Sequence, residues 1–199
     1  MVLKPGRPGD AEHFAVLAEA AAGGMWSTLL GRRAPKLLAK VFLEPDHDLS
    51  LDRTVFAWRA DRRLGLLSGF SGQSHDESGP RTVSVLLRHL GLRAVLALPA
   101  YVAARPLFEF MDQVPGDDWY VQMVAVDPDG RGQGVGTVLM AEAERRAREA
   151  GCVRLALDVD KRNTGAQRLY ERLGYAVIAE SPAAPILGDA RVLRMVRGL

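Results

Sequence analysis

Apolar and polar positions alternate in two distinct rhythms along this chain. From Trp119 to Val126, aromatic and β-branched residues follow one another and end at the turn sequence Asp-Pro-Asp-Gly, the mark of a strand closed by a tight turn. From Val135 to Ala150, apolar Val135, Val138, Leu139, Ala143, Ala147 and Ala150 fall within one broad helical face, and Gly151 supplies the stop. Arg154 to Val159 reads as a strand. Asn163 caps a short helix with Ala166, Leu169, Tyr170 and Leu173 at i, i+3, i+4 and i+7, ended by Gly174. Tyr175 to Ala179 and Val192 to Val196 are the last strands expected.

The first half is written less plainly. Val2 to Lys4 is a short strand stopped by Pro5, and Asp10 caps a helix through Phe14, Leu17, Ala18 and Ala21 that Gly23-Gly24 ends. A second helical stretch within Trp26 to Leu43 is divided by Gly31 and Pro35. Thr54 to Arg59 and Leu64 to Phe70, around the turn Ala-Asp-Arg-Arg, form a hairpin, so this half is at least partly antiparallel. Gly72 to Pro80 reads as a Gly/Ser-rich loop, and Arg81 to Met111 as helices broken around Gly91, Pro99 and Pro106. The longest apolar run, Ala94 to Ala104, is too short for a bilayer span and is expected to be a buried helix.

No repeat or linker divides the 199 residues, so a single domain is expected. A 48% apolar and 25% charged composition excludes disorder as a whole-chain description, and a net charge of +2 gives no global field for nucleic acid. Arginines crowd the last third, but Glu142, Glu144, Glu149 and Glu171 interleave with them and no aromatic stripe accompanies them. Cys152 stands alone, so no intrachain disulfide or cysteine metal cluster can form; it reads as a packed thiol, and a reducing, cytoplasmic setting is expected. The histidines His13, His47, His75 and His89 show no metal-ligand spacing, and no metal is expected. His47 and His75 are placed on loops.

Chemistry concentrates in Arg131-Gly132-Gln133-Gly134-Val135-Gly136, between a strand and a helix. Glycines there bring bare N–H groups close to a ligand, and the helix they open adds its free donors and positive dipole end, a phosphate-binding arrangement. No Gly-Lys-Ser/Thr follows, which excludes a nucleotide-triphosphate loop. A dinucleotide fold, with Asp158 or Asp160 as its acid, ranks lower: the spacing is Gly-x-Gly-x-Gly and a hairpin replaces repeated βαβ units.

The chain resembles the GNAT N-acetyltransferase superfamily. The hallmark Arg/Gln-x-x-Gly-x-Gly/Ala is matched by Arg131, Gly134 and Gly136 after a strand ending Val-Ala-Val-Asp-Pro at 124–128. The later signature Asn-x-x-Ala-x-x-Leu-Tyr-x-x-Leu-Gly-Tyr/Phe is matched by Asn163, Ala166, Leu169, Tyr170, Leu173, Gly174 and Tyr175. The resemblance is specific over Trp119 to Glu180. It implies a three-layer αβα sandwich on a mixed, mostly antiparallel sheet of about six or seven strands, with a splayed central parallel pair that admits acetyl-CoA.

By the same resemblance, N–H groups of Arg131, Gly132, Gln133, Gly134, Val135, Gly136 and Thr137 hold the pyrophosphate. The strand edge at Met123, Val124, Ala125 and Val126 pairs with the pantetheine amides, and an N–H near Val124 polarises the thioester carbonyl. Asn163 contacts the cofactor, and Tyr170 is the general acid for the leaving thiolate. No Glu lies in the central strand, and Gln122 cannot take a proton, which leaves Asp117 and Asp118, at its entrance, as base candidates acting through water. The implied activity is direct transfer of an acetyl group to a primary amine on a small molecule, peptide or protein. A silent acyl-CoA-binding module is the rival reading. No nucleic-acid or membrane partner is expected. A helical insertion around 78–115 is expected to shape the acceptor site, and to cover a small amine or dock against a second copy as a homodimer.

Overall fold

The computed structural model describes residues 1–199. Seven strands form one sheet: β1 (Val2–Pro5), β2 (Thr54–Arg59), β3 (Arg62–Ser71), β4 (Asp118–Val126), β5 (Arg154–Asp160), β6 (Ala176–Glu180) and β7 (Val192–Gly198), in spatial order β1-β2-β3-β4-β5-β7-β6. Every neighbouring pair is antiparallel except β4 and β5. One central parallel pair in an antiparallel sheet rules out the dinucleotide-binding alternative, which needs an open parallel sheet.

Helices cover both faces. On one lie α6 (Val135–Glu149) and α7 (Thr164–Arg172), with Leu139, Ala143 and Ala147 of α6 and Tyr170 of α7 in one buried cluster with Val121, Leu155 and Leu157. On the other lie α1 (Ala11–Ala21) and α3 (Ala34–Phe42), whose Phe14 and Phe42 rings stack at 4.4 Å beside Phe56, Leu66 and Met123. The short α2 (Met25–Leu30) sits between α1 and α3, and Gly31 and Pro35 mark the break as the sequence implied. The faces follow from strand alternation, since successive side chains point opposite ways.

Four expectations are corrected. Asp10 precedes α1 but does not cap it: its carboxylate accepts the Arg7 N–H at 2.8 Å and the Arg63 Nε at 2.7 Å. The 72–80 stretch is helical, the start of α4 (Gly72–Leu90). Ser71 caps that helix, accepting the Ser74 N–H at 3.2 Å, while Ser78 and Thr82 hydroxyls donate back one turn, so serines that suggested a loop are satisfied inside a helix. Pro99 and Pro106 lie within the continuous helix α5 (Arg93–Met111), and only Gly91-Leu92 interrupts. Finally, 94–104 is exposed, not buried. Leu96 is 81% exposed and Val95 68%, and by length and composition α5 would suit a membrane span although only 11% of its apolar stretch is buried.

Candidate active site

The parallel pair joins only Asp118–Val121 to Arg154–Leu157. Beyond that point β4 stays paired with β3 and β5 with β7, and the two part from each other. Gln122 marks the divergence: Val121 opposes Gly69 and Met123 opposes Ser68, which leaves Gln122 as the extra residue of a β-bulge. A bulge sharpens local twist and re-aims the strand edge. The Gln122 Oε1 accepts the Ser68 hydroxyl at 3.3 Å. Met123 and Ala125 then point toward α1 and α3, Val124 and Val126 toward α6.

Directly after β4 the chain makes the turn Pro128–Gly130 and enters the glycine loop. Gly132 and Gly134 have φ of +71° and +75°, a region costly for side-chain-bearing residues, and Gly134 is the left-handed cap from which α6 starts. The N–H groups of Gly132, Gln133, Gly134, Val135, Gly136 and Thr137 find no acceptor in the protein, whereas that of Arg131 is spent on the Pro128 carbonyl at 3.3 Å. The free run therefore starts one residue later than expected. Gly136 has a second duty, since a Cβ there would stand 3.0 Å from Leu169 of α7. The Gln133 side chain folds outward onto the Asp129 carbonyl at 2.5 Å and onto Arg59, so it does not fill the loop.

Tyr170 is buried at the opening, in the same cluster as Val121, Leu157 and Val159, its ring 5.8 Å from that of Tyr175. Its hydroxyl has no hydrogen-bond partner in the fold, and burial pushes its pKa up to about 12. It is thus a proton carrier at neutral pH, suited to donate. Asn163 caps α7, accepting the Ala166 N–H at 3.1 Å.

The two base candidates sit elsewhere. Asp118 is buried with both oxygens on Arg154, at 2.8 and 2.9 Å, and Asp117 is an exposed turn residue whose carbonyl accepts the Val153 N–H. Both stand at the zipped end of the pair, about 17 Å of strand from Met123. Asp118 is a structural ion-pair partner.

Sequence reasoning missed two charged clusters on the α1/α3 face. Asp158, the first β5 residue past the paired stretch, accepts from Arg194 of β7 at 2.6 and 2.8 Å and from the Tyr120 hydroxyl at 2.8 Å. Burial raises the Asp158 pKa against the pull of Arg194. Arg194 also donates to the carbonyls of Phe110, Met111 and Gln113, clasping the end of α5. The signal was present: in Leu-Asp-Val and Leu-Arg-Met, one acid and one base each occupy an interior strand position. The second cluster is His75 of α4, held between Asp48 at 2.8 Å and Asp112 at 2.9 Å and stacked on Phe70 at 4.7 Å. The carboxylates raise its pKa to about 9. His47, expected on a loop, is buried, donating from Nε2 to the Val41 carbonyl and accepting the Leu49 N–H at Nδ1.

Comparison with known proteins adds to this geometry. The profile of the family described as Acetyltransferase (GNAT) family matches residues 94–175. A crystal structure of an acetyltransferase superposes on the whole chain with TM-score 0.70 at 18% identity, covering 99% of that protein. Residues 94–175 thus carry the GNAT acetyltransferase profile, and the chain as a whole has the fold of the acetyltransferases it superposes on. An N-acetyltransferase from Staphylococcus aureus Mu50 gives the same TM-score at 14% identity, covering 99% of this chain and all of the other. At such identities these structures report the shared fold. In sequence, a mycothiol acetyltransferase of Saccharopolyspora erythraea is 41% identical over 56 residues, which is 28% of this chain and 18% of that protein. A blasticidin-S acetyltransferase of Streptomyces morookaense is 39% identical over 67 residues, or 33% of this chain and 48% of that one. The matches thus cover less than half of these relatives' length. The matched span 94–175 takes in α5, β4, the glycine loop, α6, β5 and α7.

Proposed function

We propose that this chain transfers an acetyl group from acetyl-CoA to a primary amine by direct attack within a ternary complex. The observation that carries the reading is the parting of β4 from β5 beside six unsatisfied N–H groups at the start of α6. Unpaired donors converging at a helix N-terminus suit a diphosphate, and an open strand edge suits the amides of a pantetheine arm. The residues present therefore fit coenzyme A. When bound, acetyl-CoA supplies an activated acyl group on a thiol leaving group.

The chain's own residues divide the remaining work. Gly132 to Thr137 bind the diphosphate through main-chain donors. The β4 edge from Met123 to Val126 orients the arm, and an N–H near Val124 stabilises the oxygen that gains charge as the amine attacks. The new C–N bond forms as the C–S bond breaks, Tyr170 gives its hydroxyl proton to the departing sulfur, and the second proton shed by the acylated nitrogen returns through water to restore the phenol. Asp158, the carboxylate at the first unpaired position of β5, is committed to Arg194 and Tyr120, so the proton of the incoming ammonium leaves to water. Acceptor selection falls to the α1/α3 side, where α5 packs on α2 and on the Pro185–Leu187 turn.

Two measurements test this. Acetyl-CoA is expected to raise the melting temperature, and free thiol is expected to be released when amino sugars, polyamines, aminoglycosides or peptide N-termini are added. Stabilisation without acceptor-stimulated release over that panel would instead mark a silent acyl-CoA-binding module, and no stabilisation would overturn the cofactor assignment.

A further inference from the structure

The tip of the α4–α5 hairpin is apolar in an inverted sense. A helix on a soluble body normally turns its large apolar residues inward. Along α5 only Ala104 and Leu107 are buried; nearer the tip the sheltered positions are the small, partly buried Ala94, Ala97 and Ala100, while Val95, Leu96, Leu98 and Val102 face solvent. Leu87 of α4 and Leu92, 92% exposed at the apex, extend the patch. Half of the molecule's exposed large apolar side chains fall within residues 83–102. A contiguous patch of this kind marks an interaction surface.

Charge identifies its occupant. Between Glu77 and Glu109 the chain has no carboxylate but carries Arg81, Arg88, Arg93 and Arg105. Arg88 shares Glu44 across the interface with α3, and Arg105 pairs with Glu109, whereas Arg81 and Arg93 make no ion pair. A second copy docking on this face through a two-fold axis would set arginines against arginines. An anionic lipid surface pairs with both features, taking the apolar tip into its acyl boundary and the arginines at its headgroups. Spanning is not compatible with the fold, because Ala104 and Leu107 are buried against it and Arg194 clasps the C-terminal turn.

We propose that the α4–α5 tip docks the protein peripherally onto anionic membranes, independently of acetyl-CoA. The test is flotation of the full chain with vesicles of phosphatidylcholine alone and with about one third phosphatidylglycerol, alongside sedimentation analysis of its oligomeric state. The expected result is recovery with the anionic vesicles only, weakened by salt. It should fall about tenfold in a Leu96→Ser/Val102→Ser variant that keeps its melting temperature. Because both residues are exposed, their replacement leaves the core intact. An Arg81→Glu/Arg93→Glu variant, which breaks no ion pair, should lose binding likewise. Absence of wild-type flotation, or flotation unchanged in the serine variant, would overturn the proposal. So would a dimer that the serine substitutions dissociate without any vesicle binding. None of these readouts uses acetyl-CoA, so failure here leaves the enzymatic reading standing.

Discussion

Titration of His75 gives a sharp stability test. This residue ties α4 to Asp48, in the segment after α3, and to Asp112, just past α5. Its pKa rises from the ordinary 6.5 to about 9, first through the hydrogen bond to Asp112 and then through that to Asp48. At about 1.4 kcal/mol per pH unit the gap corresponds to about 3 kcal/mol. The Asp112 side chain is 74% exposed, so solvent screening reduces a realistic figure to about 2 kcal/mol. The sign follows from the folded state binding the proton more tightly. The contribution is complete below pH 6.5 and disappears as the pH rises through about 9. Urea unfolding of the wild type and of His75→Gln should therefore differ most near pH 6 and converge near pH 10. Two pH–stability curves that run parallel across this window would refute the argument, because they would show that His75 is not held as a cation.

Three other substitutions probe the site. Arg194→Met strands a buried carboxylate and should cost about 3–5 kcal/mol in chemical denaturation, while Arg194→Met combined with Asp158→Asn should cost less than the sum of the singles. Gly134→Ala forces a side chain into a left-handed backbone, and is expected to lose about 1 kcal/mol of stability and to weaken acetyl-CoA binding measured by titration calorimetry. Tyr170→Phe removes a hydroxyl with no partner in the fold. Its melting temperature should match the wild type, while kcat falls at least tenfold with KM for acetyl-CoA little changed; an equally active variant would remove Tyr170 from the chemistry.

Legibility of the fold followed how local each determinant was. The glycine loop, the capped α7 and the strands of the last third depend on contacts within a few residues, and their sequence patterns carried them into the structure with boundaries shifted by a residue or two. The stretch from Gly72 to Met111 depends on partners far along the chain. Gly72 is needed because a Cβ there would lie 2.0 Å from the Pro115 carbonyl, and α4 is secured by His75 reaching Asp48 and Asp112. Neither contact leaves a periodic trace. The apolar run of α5 had its composition read correctly but its environment inverted, since hydrophobicity alone does not say which neighbour covers it. The same limit applied to Asp117 and Asp118, placed at the strand's start by their position in the sequence, whereas the pairing of Asp118 with Arg154 and the bulge at Gln122 depend on distant partners.

That bulge and the Asp158 pair together account for where the central strands separate. β4 stays hydrogen-bonded to β3 on both sides of Gln122, so the extra residue must be absorbed as added twist, turning the far half of β4 away from β5. β5 is held from the opposite side, because Asp158 is tied to Arg194 of β7 at the first position without a β4 partner, and β5–β7 pairing continues to Asp160. Each central strand is thus retained by its outer neighbour, and the gap between them is a property of the folded sheet before any ligand enters. Arg194 extends this restraint to the last carbonyls of α5. The guanidinium consequently joins the cleft to the helix whose other end presents the apolar tip, and truncating it should loosen both, with the Asp158 carboxylate left to the single hydrogen bond from Tyr120.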